Sequence, residues 1–354
     1  AVEYGISQLR TLKGVDDAKT FEEDLERRVG GIMYRALFRP IANKLWGDPR
    51  ELDSKLSKGR VQTPSLMELA SRVAGIRKKS EFEALVFDYP KGGLGKLWEA
   101  IEKKSLSNGR IHRSTRVKKI HGTERRITGI EVESNGTVEN IVVKPEDFVA
   151  SSLPLLKTIE LLGDSIPEKS RIAAHKSIVL NDLYLVFLHL RQDRLLGQSW
   201  VFVPDEGVIF HRVSEQRSFD PEMTMGGTIV CCEIMNSQGR MISEMSRESI
   251  VEETVKGIKS MGHLDIDVLD SKVVRLGQSY PVYRVGYEED VNMVLGSLDS
   301  FTNFRSIGRQ GAFNYIGTLD AMDIGYGFER WLRTRGETRW EEERTRTSHY
   351  PVLD

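Results

Sequence analysis

The spacing of apolar residues changes character at Tyr89-Pro90-Lys91-Gly92-Gly93-Leu94-Gly95, and that change limits what the chain can fold into. Before it the periodicity is helical. Thr20 stands three residues ahead of Glu23, a capping-box arrangement, and Phe21, Leu25, Val29 and Ile32 follow at helical intervals. Further helices are expected over residues 41–45, behind Pro40, and 65–76, behind Pro64. After the change, the glycine-rich turn opens a helix carrying Leu94, Leu97, Trp98 and Ile101, which should end near Asn108-Gly109. Short strands should follow over 111–114, 117–120, 127–133 and 138–143. Asn135-Gly136 is a two-residue hairpin turn joining the last two. One more buried strand is expected over 147–153, ended by Pro154.

From about 175 to 280 the pattern is that of a mostly antiparallel sheet with one helix laid over it. Strands are expected over 178–190, 200–203, 208–213, 228–235 and 271–276. The helix, about 246–261, places Ile250, Val251, Val255, Ile258 and Met261 on one face. A strand over 304–307 then leads to Gly308-Arg309, and a last helix begins near Leu319. The mixed charges of 333–346 read as a solvated surface.

Several classes of function are excluded or disfavoured by composition. Lys plus Arg (51) and Asp plus Glu (52) nearly cancel, so no basic excess exists for a nucleic-acid partner. The longest apolar runs, such as 183–190, are too short to span a bilayer. Cys231 and Cys232, the only cysteines, are neighbours in a strand pattern and point to opposite faces. A disulfide between them is disfavoured, and a reduced, cytoplasmic protein is expected. The seven histidines show no metal-ligand spacing, so no metal site is expected, and no nucleophile elbow, Walker loop or kinase signature is present. Gly92-Gly93-Leu94-Gly95 has the look of a phosphate cradle but not its spacing, which fits a helix-start turn equally well.

Four segments, in order, carry a resemblance. They are Phe38-Arg39-Pro40 with Lys44-Leu45-Trp46-Gly47-Asp48-Pro49 and Leu52, then Tyr89-Pro90-Lys91-Gly92-Gly93-Leu94-Gly95 with Leu97-Trp98, then residues 111–120 around Val117. The fourth is Gly308-Arg309-Gln310-Gly311-Ala312-Phe313-Asn314-Tyr315 through Leu319-Asp320-Ala321 and Gly325. With Tyr280-Pro281-Val282-Tyr283 in the expected place, the chain resembles FAD-dependent flavoproteins of the amine oxidase, protoporphyrinogen oxidase and UDP-galactopyranose mutase superfamily. Two departures stand out. Ile316-Gly317-Thr318-Leu319-Asp320 sets the aspartate one residue late, and the family's opening G-x-G-x-x-G turn is not in the sequence.

The resemblance implies an α/β (α+β) class: an FAD-linked flavoprotein fold, incomplete at the N-terminus, with a mixed antiparallel-sheet substrate domain and a helical cap. The implied division is 1–88 (helical part of the substrate domain), 89–155 (return of the FAD domain), 156–285 (antiparallel-sheet substrate domain) and 286–354 (last FAD-domain segment). Implied cofactor contacts are the main chain at Val117, which would read the adenine edge, and Gly308, Arg309, Leu319, Asp320 and Ala321. Free amides and a positive helix dipole at those last positions would favour reduced flavin. Tyr283 and Tyr315, with Arg217 on a polar loop near Arg212 and Glu215, are candidates for lining the pocket of a small-molecule substrate. The implied reaction is an oxidation passing a hydride from an unknown organic substrate to flavin N5, with no side-chain acid or base assigned. The alternatives are a mutase-like non-redox flavoenzyme, with Arg275, Arg284 and Arg305 as loosely placed diphosphate ligands, and a cofactor-free partner or fragment of a flavoprotein. The dinucleotide-binding fold is expected on a missing segment upstream or on a separate chain, without which the 354 residues should purify colourless.

Overall fold

The computed structural model describes residues 18–61, 88–123, 125–237, 241–262, 265–334 and 339–347. The helix expected over 65–76 lies outside them. Ten strands are formed among the described residues: β1 (Thr115–Gly122), β2 (Ile127–Ser134), β3 (Thr137–Val142), β4 (Val149–Ser151), β5 (Val179–Leu190), β6 (Trp200–Phe202), β7 (Arg212–Glu215), β8 (Thr228–Asn236), β9 (Val268–Val282) and β10 (Phe304–Ser306). The chain divides into two compact units. One comprises residues 1–57, 62–111 and 181–277, the other 58–61, 112–180 and 278–354. The helix after Gly93 groups with the sheet of 181–277.

The first unit is built on a five-stranded sheet in the order β6-β7-β8-β5-β9. Strand β8 is central and pairs antiparallel with both neighbours, so that Cys232 faces Val186 on one side and Val213 on the other. Being covered on both faces, it buries Cys231 and Cys232 alike, and both thiols are free. The helix Arg247–Ser260 lies over this sheet, capped by Ser246, whose hydroxyl accepts from the Ser249 amide at 3.1 Å. Its buried residues, Ile250 and Ile258, join Val208, Phe210, Val213 and Val230 in one core. Gly257 permits the close approach: a Cβ there would stand 2.9 Å from the Phe210 ring and 3.0 Å from Val208.

Ahead of the sheet, Thr20 and Glu23 form the expected capping box of the helix Phe21–Val29. Phe21, Leu25 and Val29 are buried, but Ile32, expected on the same face, is 69% exposed. Gly30 breaks the helix between them with a left-handed φ of 84°. A π-helical turn, Tyr34–Phe38, then runs into the helix Arg39–Leu45. Pro40 has no amide for the regular ladder, and the backbone widens just before it. Lys44 is buried, its Nζ donating to the carbonyls of Val203 (2.8 Å) and Phe210 (2.9 Å). The strand expected over 208–213 begins only at Arg212; ahead of it the Val208 amide closes a turn on the Asp205 carbonyl, and the Phe210 carbonyl is taken by Lys44.

The second unit holds the antiparallel meander β1-β2-β3 and the parallel pair β4 and β10. The Asn135-Gly136 hairpin is present, with φ of 50° and 79°. Residues 111–114 form no strand; Ser114, at φ 51°, turns the chain into β1 instead. Asn303 joins meander to pair. Its side chain takes both main-chain groups of Ile127 (2.9 and 3.0 Å), while its carbonyl accepts from Val149 at 2.8 Å. Four helices of eight residues or more that were not anticipated from the sequence also belong to the unit: Trp340–Thr347, within the stretch read as a solvated surface, Leu155–Leu162, Glu168–Ser177 and Tyr287–Asp299. The last two are tied by Asp290, which accepts from Lys176 Nζ at 2.9 Å and Ser177 Oγ at 2.5 Å. Among the described residues no helix is long and apolar enough to cross a membrane, and no group of side chains fits a metal ion.

Replacing Gly257 by valine inserts a branched side chain between helix and sheet. Gly257→Val should lower the stability of the first unit by about 1–3 kcal/mol, read as an earlier midpoint in urea at unchanged slope. An unshifted midpoint would show that the helix does not pack there.

Candidate functional site

The segment after β10 is shaped by glycines where side chains cannot fit. Gly308 has φ 82°, and a Cβ at Gly311 would stand 2.8 Å from the Ser151 carbonyl. The segment around the short helix Gly308–Gly311 is held against β4 by the bond from Ile307 N to Ser151 O, and against β10 by that from Ser306 Oγ to Gly311 O. Phe313 then adopts φ 50°, a conformation that disfavours a bulky residue. Tyr283 fixes it there. Its hydroxyl accepts from the Tyr315 amide at 2.9 Å and donates to the Phe313 carbonyl at 3.2 Å, while its ring stacks on Tyr287 at 4.4 Å.

The chain next enters the helix Thr318–Arg333, with Gly317 at its N-cap. The Asp320 carboxylate accepts from the Gly317 amide at 2.8 Å, so its role is to close the helix start. The amides at the start of this turn have no partner within the helix, and they carry its positive dipole end. Around them the surface is open: Leu319 is 76% exposed, and Ala321 and Gly325 are exposed too.

Arg309 is anchored beneath this surface. Its Nη1 donates to the Ile316 carbonyl at 2.9 Å, and its guanidinium carbon lies 4.4 Å from the Tyr280 ring centroid and 4.6 Å from that of Tyr315. Its Nε and Nη2 are buried and have no hydrogen-bond partner among the described residues. Arg60 stacks on the Tyr315 ring as well, at 4.1 Å. Two guanidinium groups, two tyrosine rings and an open helix start therefore converge, an arrangement suited to a planar or anionic group. Gly308, Arg309, Leu319, Asp320 and Ala321, the positions the resemblance named, all lie in this segment. Tyr280 and Arg60 were missed; Tyr280 lay within a segment the pattern singled out, but nothing in the sequence pointed to Arg60.

The other expected residues take different positions. Tyr283 and Tyr315 are buried, and both serve the Gly308–Tyr315 turn instead of facing an open pocket. Arg217 belongs to the first unit, where it donates to Asp193 (3.0 Å) and the Gly227 carbonyl (2.9 Å). Nearby, Arg212 forms a two-pronged bond with Glu233, and Glu215 is wholly buried, capping the amides of Leu195 and Leu196. Val117 sits half-buried in the edge strand β1, beside a bulge at Lys118. The cradle-like turn at Gly92-Gly93 is filled from within: Asp220 accepts from the Gly92 amide at 2.7 Å, and that bond holds its carboxyl below the usual range. Arg275 is paired with Asp182, Arg284 is exposed and Arg305 is buried.

No protein-family model matches the chain, and no curated protein sequence does. Its fold, however, recurs among solved structures. A reduced UDP-galactopyranose mutase matches with a TM-score of 0.70 at 18% identity, over 88% of this chain and 65% of that one. A protoporphyrinogen oxidase-like protein from Exiguobacterium sp. matches with a TM-score of 0.66 at 14% identity, over 94% and 71%. A fatty acid isomerase from P. acnes gives 0.54 at 12%, over 93% and 72%. The chain shares its fold with these proteins, and it spans about two thirds of the length of the mutase it resembles.

Tyr283→Phe removes the partner of two buried main-chain groups and should cost about 1–3 kcal/mol in chemical denaturation; no loss would show that Phe313 holds its conformation unaided. Burial pushes the Tyr283 phenol up to about 12, against roughly 10 in an unfolded chain. A folded value above the unfolded one means the stabilisation is full below about pH 10 and lost as pH rises toward 12. Wild-type stability should accordingly fall between about pH 10 and 12, and Tyr283→Phe should flatten that fall.

Proposed function

We propose that the protein is an FAD-dependent oxidoreductase acting on a small organic substrate, with the flavin ring placed at the Gly308–Ala321 surface. The observation that carries this reading is Arg309, whose two buried donors have no partner among the described residues, beside a helix whose first turn is exposed at Leu319. A buried donor left unsatisfied costs about 1–3 kcal/mol, more when charged, so the site is built for an anionic or acceptor-rich group. The residues fit the cofactor. Arg309 would hold an acceptor edge from the protein side, and the first-turn amides near Leu319 would offset negative charge. Ala321 and Gly325 leave room for a flat ring, and the main chain at Val117 would meet the adenine. Bound FAD would supply the acceptor for a hydride leaving a substrate carbon. The chain's residues would orient the ring, exclude water from its buried side and stabilise charge; no side-chain base is assigned.

The ADP half of the cofactor, in this reading, belongs to a dinucleotide-binding segment outside these 354 residues, upstream or on a separate chain. The two free, buried thiols accord with a reducing, cytoplasmic setting. A second reading, a non-redox enzyme of the mutase type, is favoured by the likeness to UDP-galactopyranose mutase. Against it, Arg275 is already engaged by Asp182, and Arg305 donates to the carbonyls of Phe301 and Phe304.

With the dinucleotide-binding segment restored, FAD should bind, and Arg309→Met should weaken it. Losing one charge-assisted bond of roughly 1.5–3 kcal/mol corresponds to about a 10- to 150-fold loss, measured by flavin fluorescence titration. Equal affinity in the variant would sink the placement of the ring. Bleaching of flavin absorbance by candidate amines, without added reductant, would support the oxidoreductase. Turnover of a nucleotide sugar only after dithionite reduction would replace it with the mutase reading.

A further inference from the structure

The second unit contains a cavity of about 740 Å³ that shares no residue with the Gly308–Ala321 surface. One wall is the face of the helix Tyr287–Asp299 bearing Glu288, Asn292, Gly296 and Asp299. The other is the start of the helix Trp340–Thr347 with Arg339 and Arg344, and Arg305 lines the space as well. Its charged residues number three of each sign: Arg305, Arg339 and Arg344 against Glu288, Asp299 and Glu341. They are not equally matched. Arg344 is paired with Asp299, and Arg339 meets Glu341 at 3.5 Å. Arg305 has no ion pair of its own among the described residues.

Arg305 is also the most deeply placed of the three, 8% exposed, with its guanidinium carbon 4.2 Å from the Trp331 ring centroid. Its Nη1 donates to the carbonyls of Phe301 (2.7 Å) and Phe304 (2.5 Å), while Nε is buried without a partner. Among the described residues no hydrogen bond is formed at Nε or Nη2, and that edge presents two parallel N–H donors, the geometry that grips a carboxylate. Burial draws the basicity of this guanidinium down, the direction expected of a desolvated cation whose counter-charge is insufficient. Gly296 keeps the groove open, since nothing lies within 4 Å of where its Cβ would be.

We propose that this cavity binds a small organic carboxylate, gripped by the Nε–Nη2 edge of Arg305, with its body along Gly296 between the two helices. One negative charge completes Arg305. A doubly charged phosphate would be repelled by the three carboxylates of the lining about twice as strongly as a singly charged carboxylate. The volume falls in the range of small-molecule sites, roughly 300–1,000 Å³, and exceeds what a bare inorganic ion would fill. The site depends on none of the residues assigned to the flavin, so either assignment can fail alone.

The test is titration of the purified chain with benzoate and succinate, with benzamide and inorganic phosphate in parallel. Binding is followed by tryptophan fluorescence, which Trp331 and Trp340 should report, and by calorimetry. At least one carboxylate should bind saturably, at least tenfold tighter than benzamide or phosphate. Arg305→Gln and Gly296→Leu should each weaken it tenfold or more. Gly296→Leu leaves every bond of Arg305 in place and fills the groove from a helical position, so it answers even where Arg305→Gln does not fold. Absence of saturable carboxylate binding, equal binding of benzamide or phosphate, or full binding in Gly296→Leu would each overturn the proposal.

Discussion

The candidate site depends on one tyrosine hydroxyl. Tyr283 accepts from the amide of Tyr315 and donates to the carbonyl of Phe313, and so holds Phe313 at a positive φ that its side chain alone would not favour. Everything that gives the surface its character follows from the shape of that turn. Arg309 can reach back to the Ile316 carbonyl, its guanidinium settles over Tyr280 and Tyr315, and the helix Thr318–Arg333 starts with its first turn exposed at Leu319. A tyrosine that pattern reading places in a substrate pocket is in fact a strut one layer beneath the surface.

Polar groups elsewhere do comparable work by capturing main chain. Asn303 takes both peptide groups of Ile127 and so docks the meander onto the parallel pair that leads to Gly308. Lys44 does the same for the carbonyls of Val203 and Phe210, ahead of β7. Asp220 fills the amide turn at Gly92, and Glu215 caps the loop at Leu195. In each case a buried side chain meets backbone groups that would otherwise be left unsatisfied. Arg309 and Arg305 differ from these because, among the described residues, Arg309 keeps two buried donors and Arg305 one without an acceptor, and both proposed ligand sites rest on that difference.

Much of the framework was legible in the residues. The Thr20–Glu23 capping box, the Asn135-Gly136 hairpin, the long β5 and β8 strands and the helix over the sheet all arise from local patterns that the structure keeps. The helix Tyr287–Asp299 carried a readable signal too, since Tyr287, Val291, Val294, Leu295 and Leu298 recur at helical spacing and are all buried. What misled was a locally strand-like run at 208–213, where a lysine some 160 residues away in sequence captures the backbone.

The sequence by itself determined the order of elements, the glycines that shape the turn at Gly308–Gly311, and the likeness to a flavoprotein fold, because these rest on local backbone preference and on ordered motifs. Only the tertiary structure decided which polar side chains remain available. Tyr283, Tyr315, Asp320 and Arg217 all looked like candidate ligand residues, yet each is occupied by a partner or buried in packing. Arg309 retains unmatched donors, and Arg60 and Tyr280 join it. Hydrogen-bond capacity is limited, and which groups consume it depends on contacts between residues distant in sequence, which no local pattern records.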